Sequence, residues 1–342
     1  MFADSTVFVV GAGASAEFNL PVGSGLMETI KTNCEFRYEF GRFEKGISYI
    51  HHDFRKRYRD HNELKLRYEA MAEVRRSIDL AGSIDEFINR HNDDPIIAEV
   101  GKLQIAYAIA KAEQDSFFMR KKSSGEPIAW DNLKETWIKT FTQILLAGVR
   151  NGEAEQIGRN ITIICFNYDR CIEHYLTEAI VKTFRGIDRK EAGKIVDQIN
   201  IIHPYGSLGP LTLHAFGGRI TSQKIRAMSE NIVTWSESVM SETSAAIEKA
   251  MLEASSLVFL GFAFAPQNMD LLTTEMPKLV GGLMEIYATG YGYDDVIDRR
   301  LRTKIANLYP NPYNVTRDDF IHVQYEMMCA KFMQAHSMAL MK

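Results

Sequence analysis

The feature that most constrains this chain is a short apolar run that stops on glycine. Thr6 to Val10 (Thr-Val-Phe-Val-Val) is β-branched and aromatic and carries no charge. That is the pattern of a strand buried on both faces of a parallel sheet. It runs directly into Gly11-Ala12-Gly13-Ala14-Ser15-Ala16. A strand, then Gly-x-Gly-x-x-Ala, then a predicted helix matches the dinucleotide fingerprint in its Gly/Ala form. Gly11 permits the tight turn, and Gly13 lets the backbone approach a pyrophosphate whose charge the helix N-terminus favours. Ser15 adds a hydroxyl donor. The plain alternative is a tight strand-to-helix turn without a ligand. The acid that holds a ribose about 20 residues further on in hydride-transferring enzymes has no clean counterpart. Cys34-Glu35 falls in that range but follows a predicted helix, which argues against an ordinary nicotinamide oxidoreductase.

Apolar strand patterns recur at Ile161 to Phe166, Ile199 to His203, Leu257 to Gly261 and Glu285 to Thr289, with a weaker one at Phe320 to Val323. Helical patterns separate most of them: Tyr168 to Phe184, Ser241 to Glu253, Asn268 to Leu279, Asp294 to Leu308, and finally Tyr325 to Leu340. This alternation predicts an α/β fold, a Rossmann-like doubly wound parallel sheet. The rhythm breaks between Leu26 and Arg159, where no buried strand is evident. Helices are expected there at Ser24 to Lys31, between Phe43 and Asp79, and at Ser83 to Arg90, Pro95 to Arg120 and Trp130 to Val149. Asp93-Asp94-Pro95 and Lys121-Lys122-Ser123-Ser124-Gly125 are the expected loops. The 342 residues, enough for two domains, thus divide into a discontinuous nucleotide-binding domain, 1–25 plus 160–342, and a helical insertion, 26–159.

Bulk properties exclude several classes. Hydrophobic residues make up 46% and charged residues 25%, so the chain is neither disordered nor low-complexity. No window has the ~18 apolar residues of a membrane span, and the beginning of the sequence, with Asp4 and no basic stretch, is unlike a signal peptide. A net charge of -4 does not imply nucleic-acid binding, although a local basic face is compatible with it. Cys34, Cys165, Cys171 and Cys329 form no C-x-x-C pair, so no zinc ribbon or other metal site is expected. A reducing cytoplasm fits. Arg55-Lys56-Arg57-Tyr58-Arg59 could touch phosphates or an acidic partner, but interleaved Asp53, Asp60 and Glu63 favour a solvated helix face.

Chemistry-bearing residues cluster where strands end, the edge at which open α/β sheets bind ligands. Asn167 and Asp169 in Cys165-Phe166-Asn167-Tyr168-Asp169 offer an amide and a carboxylate, or else a helix cap. His203 in His203-Pro204-Tyr205-Gly206-Ser207 offers an imidazole suited to general-base work. Gly261-Phe262-Ala263-Phe264 leads into Asn268, a cap or a ligand contact. Tyr287-Ala288-Thr289-Gly290-Tyr291-Gly292 is a further glycine-bearing strand end where a ligand could approach the backbone.

Taken in order, Gly-Ala-Gly-x-Ser, Asn-x-Asp, His-x-x-Gly-Ser and the late Gly-Phe-x-Phe loop resemble the sirtuin-like (silent-information-regulator-type) family, in particular its bacterial antiphage NAD-hydrolase branch. The resemblance skips most of 26–159, although Ser83-Ile84-Asp85-Glu86-Phe87 and Thr234-Trp235-Ser236-Glu237 also look like family patterns, without a defined role. It implies that Gly11, Ala12, Gly13 and Ser15 hold the NAD pyrophosphate. Asn167 would position the water or the nicotinamide ribose, and Asp169 would contact the nicotinamide amide. His203 would be the general base or a ribose contact, with Gly206 and Ser207 beside it. Gly261, Phe262 and Asn268 would line the ribose and adenosine side.

The chain also departs from protein-deacylating sirtuins. Phe166 stands where they usually carry Gln, Pro204-Tyr205 separate histidine from glycine, and Asn19-Leu20-Pro21-Val22-Gly23 replaces their Gly-Ile-Pro-x-Phe-Arg run. Their zinc-binding cysteine pairs are missing. The expectation is therefore an NAD glycohydrolase that releases nicotinamide and ADP-ribose in antiphage defence. The alternatives are an NAD-dependent protein deacylase and a non-catalytic NAD-binding subunit of a larger complex. An NAD hydrolase needs an off state, so control by homo-oligomerisation, or by a separate sensor or HerA-type ATPase subunit, is expected with it.

Overall fold

The computed structural model describes residues 1–39, 42–119, 128–239, 242–277 and 283–342. The expected loop 121–125, and the expected helix limits at Arg120, Ser241 and Leu279, lie outside the described residues. The core is a six-stranded sheet: β1 (Thr6–Val10), β2 (Ile161–Cys165), β3 (Asn200–Ile202), β4 (Ser256–Leu260), β5 (Glu285–Thr289) and β6 (Ile321–Gln324). The spatial order is β3-β2-β1-β4-β5-β6 and every pairing is parallel. This is a Rossmann-like doubly wound sheet, and its strand order reverses between β1 and β4.

Register sets the site. Val10 pairs with Cys165 on one side and Leu260 on the other, so Gly11, Phe166 and Gly261 leave the sheet in one row. Ile164 pairs with Ile202, which brings His203 level with Cys165. The uncharged strands have a simple cause: both faces are covered. Val7, Val9, Ile164, Leu257 and Phe259 pack in one core, and Phe8, Val10, Ile163, Val258 and Leu260 in another.

The first turn forms α1 (Ala12–Ala16), and α2 (Gly23–Asn33) follows. The intervening segment then supplies α3 (Ser48–Arg57), α4 (His61–Ser77), α5 (Ile84–Arg90), α6 (Pro95–Asp115) and α7 (Trp137–Leu146). It is divided between the two cores. Leu26, Val74, Phe87 and Leu103 join the first, while Trp137, Phe141 and Leu145 join the second. The 21-residue α6 is buried on most sides, and the Asp94 carboxylate caps its first turn ahead of Pro95. A small antiparallel hairpin, Arg37–Glu39 with Arg42–Lys45, lies within this segment. Its charged, three- and four-residue strands carry no buried-strand pattern, which is why only helices are expected there. Beyond β2 come α8 (Cys171–Thr183), α9 (Arg189–Val196) and α10 (Ser222–Ser229). The helix expected from Asn268 instead starts at Pro266 and ends at Leu272.

Candidate functional site

The fingerprint turn is built against the loop after β4. Gly11 donates its amide to Leu260 O at 2.9 Å, Gly13 donates to Gly261 O at 2.9 Å, and Ala14 donates to Gly11 O at 3.0 Å. A Cβ on Gly11 would sit 2.6 Å from Gly261 O. Gly261 itself has φ +56°, and a Cβ there would meet the Ala14 nitrogen at 2.0 Å. These glycines are thus demanded by contact between two strand ends. Two amides of the expected pyrophosphate cradle, those of Gly11 and Gly13, already have partners inside the fold. The Gly261 amide in turn donates to Thr289 Oγ1 at 2.8 Å, tying in the end of β5.

Asn167, Ser15 and Asp169 meet beside this turn. The Asn167 side-chain amide donates to Gly11 O at 3.0 Å and to Ser15 Oγ at 2.9 Å. Ser15 Oγ donates to Asp169 Oδ2 at 2.8 Å, and Asp169 Oδ1 accepts the Cys171 amide at 3.1 Å. Asp169 is therefore both a bond to the start of α8 and a member of the cluster, uniting the two sequence readings. All three residues are buried. The Gly11 carbonyl requires a donor, which fixes the orientation of the Asn167 amide. Its other atom, Oδ1, is buried with no hydrogen-bond partner among the described residues.

His203 packs behind this cluster. Its Nδ1 lies 2.9 Å from Asn167 O and its Nε2 lies 2.8 Å from Glu173 Oε1. Each neighbour is an acceptor, so the ring satisfies both only as an imidazolium with two N–H donors. Burial opposes that charge, but Cys165 and the Glu173 carboxylate outweigh it and raise the pKa well above the usual histidine value. Burial likewise opposes the Glu173 carboxylate, yet His203 holds its pKa below the usual value. Glu173, in the first turn of α8, carries no separate sequence signal; only its pairing with His203 marks it.

The remaining expected residues divide between lining and scaffolding. Phe262 is buried against Phe166 at a centroid distance of 5.1 Å, and Phe166 also meets Tyr205 edge-on at 5.8 Å. Asn268 does not cap its helix; its Oδ1 accepts the Tyr205 hydroxyl at 2.7 Å. Gly206 has φ +69° and abuts Asn231 O, while Ser207 Oγ accepts the Gly209 amide at 3.2 Å. Ala12 opens the five-residue α1.

The cluster also includes residues the sequence did not single out. Arg170 and Glu113, both buried, form a two-point ion pair, with Nη2 to Oε2 at 2.6 Å and Nε to Oε1 at 3.1 Å. Arg170 further donates to Gly209 O at 3.1 Å and to His214 O, clamping the loop after β3 onto α6. Asp85, within one of the two unassigned family patterns, accepts the Tyr168 hydroxyl. In the other, Trp235 Nε1 donates to Gln267 O at 3.2 Å.

Other features lie apart. The basic cluster is partly internal: Arg57 and the Tyr58 hydroxyl bond Glu99 of α6, as does Arg226 of α10. An open depression of about 390 Å³, lined by Lys31, Cys34, Phe36, Tyr68, Arg75 and Arg76, lies on the inserted helices. All four cysteines are free and buried. Among the described residues there is no cluster of His, Cys, Asp and Glu suited to a metal ion, and no helix is long and apolar enough to cross a membrane. Comparison with protein-family models, curated proteins and solved structures finds no match.

Proposed function

We propose that the chain is an NAD glycohydrolase whose reaction centre is the Asn167 cluster at the carboxyl edge of the sheet. The observation that carries this reading is the partnerless Asn167 Oδ1. A buried acceptor without a donor is costly, and this one is aimed by two bonds on its own amide nitrogen. A ribose hydroxyl or a water supplies the missing donor. Cleavage of the nicotinamide bond develops positive charge on the ribose, and the Asn167 oxygen dipole and the Asp169 carboxylate stabilise it in a water-poor site.

In this reading His203 positions Asn167 through its carbonyl. The imidazolium form that satisfies both neighbours has no lone pair with which to accept a proton. The internal bonds of Asp169, to Ser15 and Cys171, and of His203, to Asn167 and Glu173, favour a second reading, a dinucleotide-binding subunit without turnover. Work in a cytoplasm, in antiphage defence, belongs to the first reading. So does restraint by self-assembly or by a separate sensor or HerA-type ATPase subunit.

The test is nicotinamide release from NAD by purified protein, alone and with the product of the neighbouring gene. Wild-type protein is expected to turn over, and Asn167→Ala to lose 100-fold or more. NAD binding without release under either condition selects the second reading.

A further inference from the structure

The inserted helices bring a carboxylate to the sheet edge. Asp85 sits in the first turn of α5, whose N-terminus is already closed by other residues. Ser83 Oγ accepts the Glu86 amide at 3.0 Å, and Glu86 Oε2 accepts the Gly82 amide at 2.9 Å. Asp85 is thus not needed as a cap. Its side chain reaches the hydroxyl of Tyr168, the residue between Asn167 and Asp169. It is half-buried, and no cation pairs with it among the described residues. The Tyr205 ring lies 6.4 Å from that of Tyr168, and its hydroxyl bonds Asn268. The loops after β2 and β3 and the helix after β4 therefore converge with α5 through hydrogen bonds and ring contacts of buried tyrosines.

Hydrolysis by water requires a proton acceptor, and the sheet-edge groups do not supply one. Both Asp169 oxygens already accept hydrogen bonds, from Ser15 and Cys171. His203 donates from both nitrogens, and Glu173 pairs with it. Resting on the glycohydrolase reading, we propose that Asp85 is the general base that takes the proton of the attacking water. The water oxygen bonds the anomeric carbon of the nicotinamide ribose as the carbon–nitrogen bond breaks. That bond's electron pair leaves with nicotinamide, which becomes neutral. The proton passes to the Asp85 carboxylate and then to solvent. NAD and water give nicotinamide, ADP-ribose and one proton.

The surroundings suit the task. Burial raises the Asp85 pKa to about 6 against the downward pull of the Tyr168 hydrogen bond. Charged groups on the packed elements are largely matched elsewhere: Glu86 with Arg90 on α5, Lys102 of α6 with Glu237, and Lys31 of α2 with Asp79. Asp270, which lies near Tyr205, is another acid on this side. A base titrating near 6 is mostly ionised at pH 7 and still has useful proton affinity.

The experiment is NAD cleavage from pH 5 to 9 by wild type, Asp85→Asn and Tyr168→Phe. Asp85→Asn is expected to lower kcat roughly 10²- to 10⁴-fold with KM within a few-fold. Wild-type kcat/KM is expected to fall below about pH 6. Tyr168→Phe, which removes the bond favouring the carboxylate, is expected to stay active with that limb about one unit higher. Wild-type turnover at every pH in Asp85→Asn, or an acid limb that Tyr168→Phe leaves in place, overturns the role of Asp85 and spares the glycohydrolase reading. If Asp85→Asn does not fold, the Tyr168→Phe limb decides. Absence of cleavage by wild type overturns both.

Discussion

Gly13 donates its amide to the carbonyl of Gly261 at 2.9 Å, joining the first strand-to-helix turn to the loop after β4 backbone to backbone. The contact spans the point where the strand order reverses, the place at which doubly wound sheets bind dinucleotides. Here the glycine pattern serves the fold before it serves a ligand. A dinucleotide settling on this edge must displace or share these bonds.

Gly261→Ala tests how much the junction matters to the fold. Its left-handed backbone costs a non-glycine residue about 1–2 kcal/mol, and the new Cβ would meet the Ala14 nitrogen at 2.0 Å, where only backbone can yield. Urea unfolding should show a loss of at least ~2 kcal/mol. Gly186→Ala is the control, because its φ of +88° imposes similar strain while a Cβ there meets nothing within 4 Å. Equal losses in the two variants would contradict a special role for the Gly13–Gly261 contact.

The strands were legible because burial on both faces leaves uncharged β-branched runs: Thr6–Val10 and Glu285–Thr289 have the limits their pattern predicts. The strand-end residues were legible for the same reason, since each follows such a run. The hairpin at Arg37–Lys45 was not, because its short, charged strands have no such period. Nor could spacing reveal the pairs that close the site. Glu173 with His203, Glu113 with Arg170 and Asp85 with Tyr168 lie 30, 57 and 83 residues apart. Glu173 and Glu113, taken alone, read as ordinary helix-surface charges. Pro204-Tyr205 read only as a departure from a pattern, yet Tyr205 supplies the hydrogen bond that holds Asn268.

His203 and Glu173 should bracket the pH range of greatest stability. The folded-state pKa of His203 is raised, so its contribution is complete below the unfolded value near 6.5 and is lost as pH rises through the folded value. That of Glu173 is lowered, so its contribution is present above about 4.5 and lost as pH falls through the folded value. Each unit of raised His203 pKa corresponds to about 1.4 kcal/mol. The gap in urea midpoint between wild type and His203→Gln should be largest at pH 6 and should narrow as the pH is raised. Parallel curves would show that His203 is not held as an imidazolium.

Removing Arg170 should be among the most damaging single changes. Glu113 would keep its burial and lose its counter-charge, a situation that costs about 3–5 kcal/mol. Burial already raises the Glu113 pKa against the pull of Arg170, and without Arg170 it rises further. The deficit of Arg170→Met should therefore shrink as pH falls and Glu113 takes up a proton. Arg170→Met combined with Glu113→Leu should recover much of the loss at pH 7, as read from thermal or urea unfolding. A double variant no more stable than Arg170→Met would place the damage in the released loop after β3 instead.

Glu99 is the acid on which the inserted helices converge, and its protonation should loosen them first. Its Oε1 accepts from Arg57 at 2.9 Å, from the Tyr58 hydroxyl at 2.7 Å and from Arg226 at 2.9 Å, while Oε2 faces Arg67 Nε at 3.3 Å. These partners come from α3, α4 and α10 and from the residue just after α3, so one carboxylate links four helices counting its own α6. Burial opposes its charge, but Tyr58, Arg226 and Arg67 prevail and hold its pKa below 4.5. The stabilisation is thus present above about pH 4.5 and lost as pH falls through the folded value. Glu99→Gln keeps the shape and removes the charge, so about 1–3 kcal/mol should be lost at pH 7 and progressively less toward acid. Hydrogen exchange at pH 7 should report the loosening in α3 and α10 while β1 and β2 stay protected. Uniform loss of protection across the sheet would show that the inserted helices and the sheet unfold as one unit.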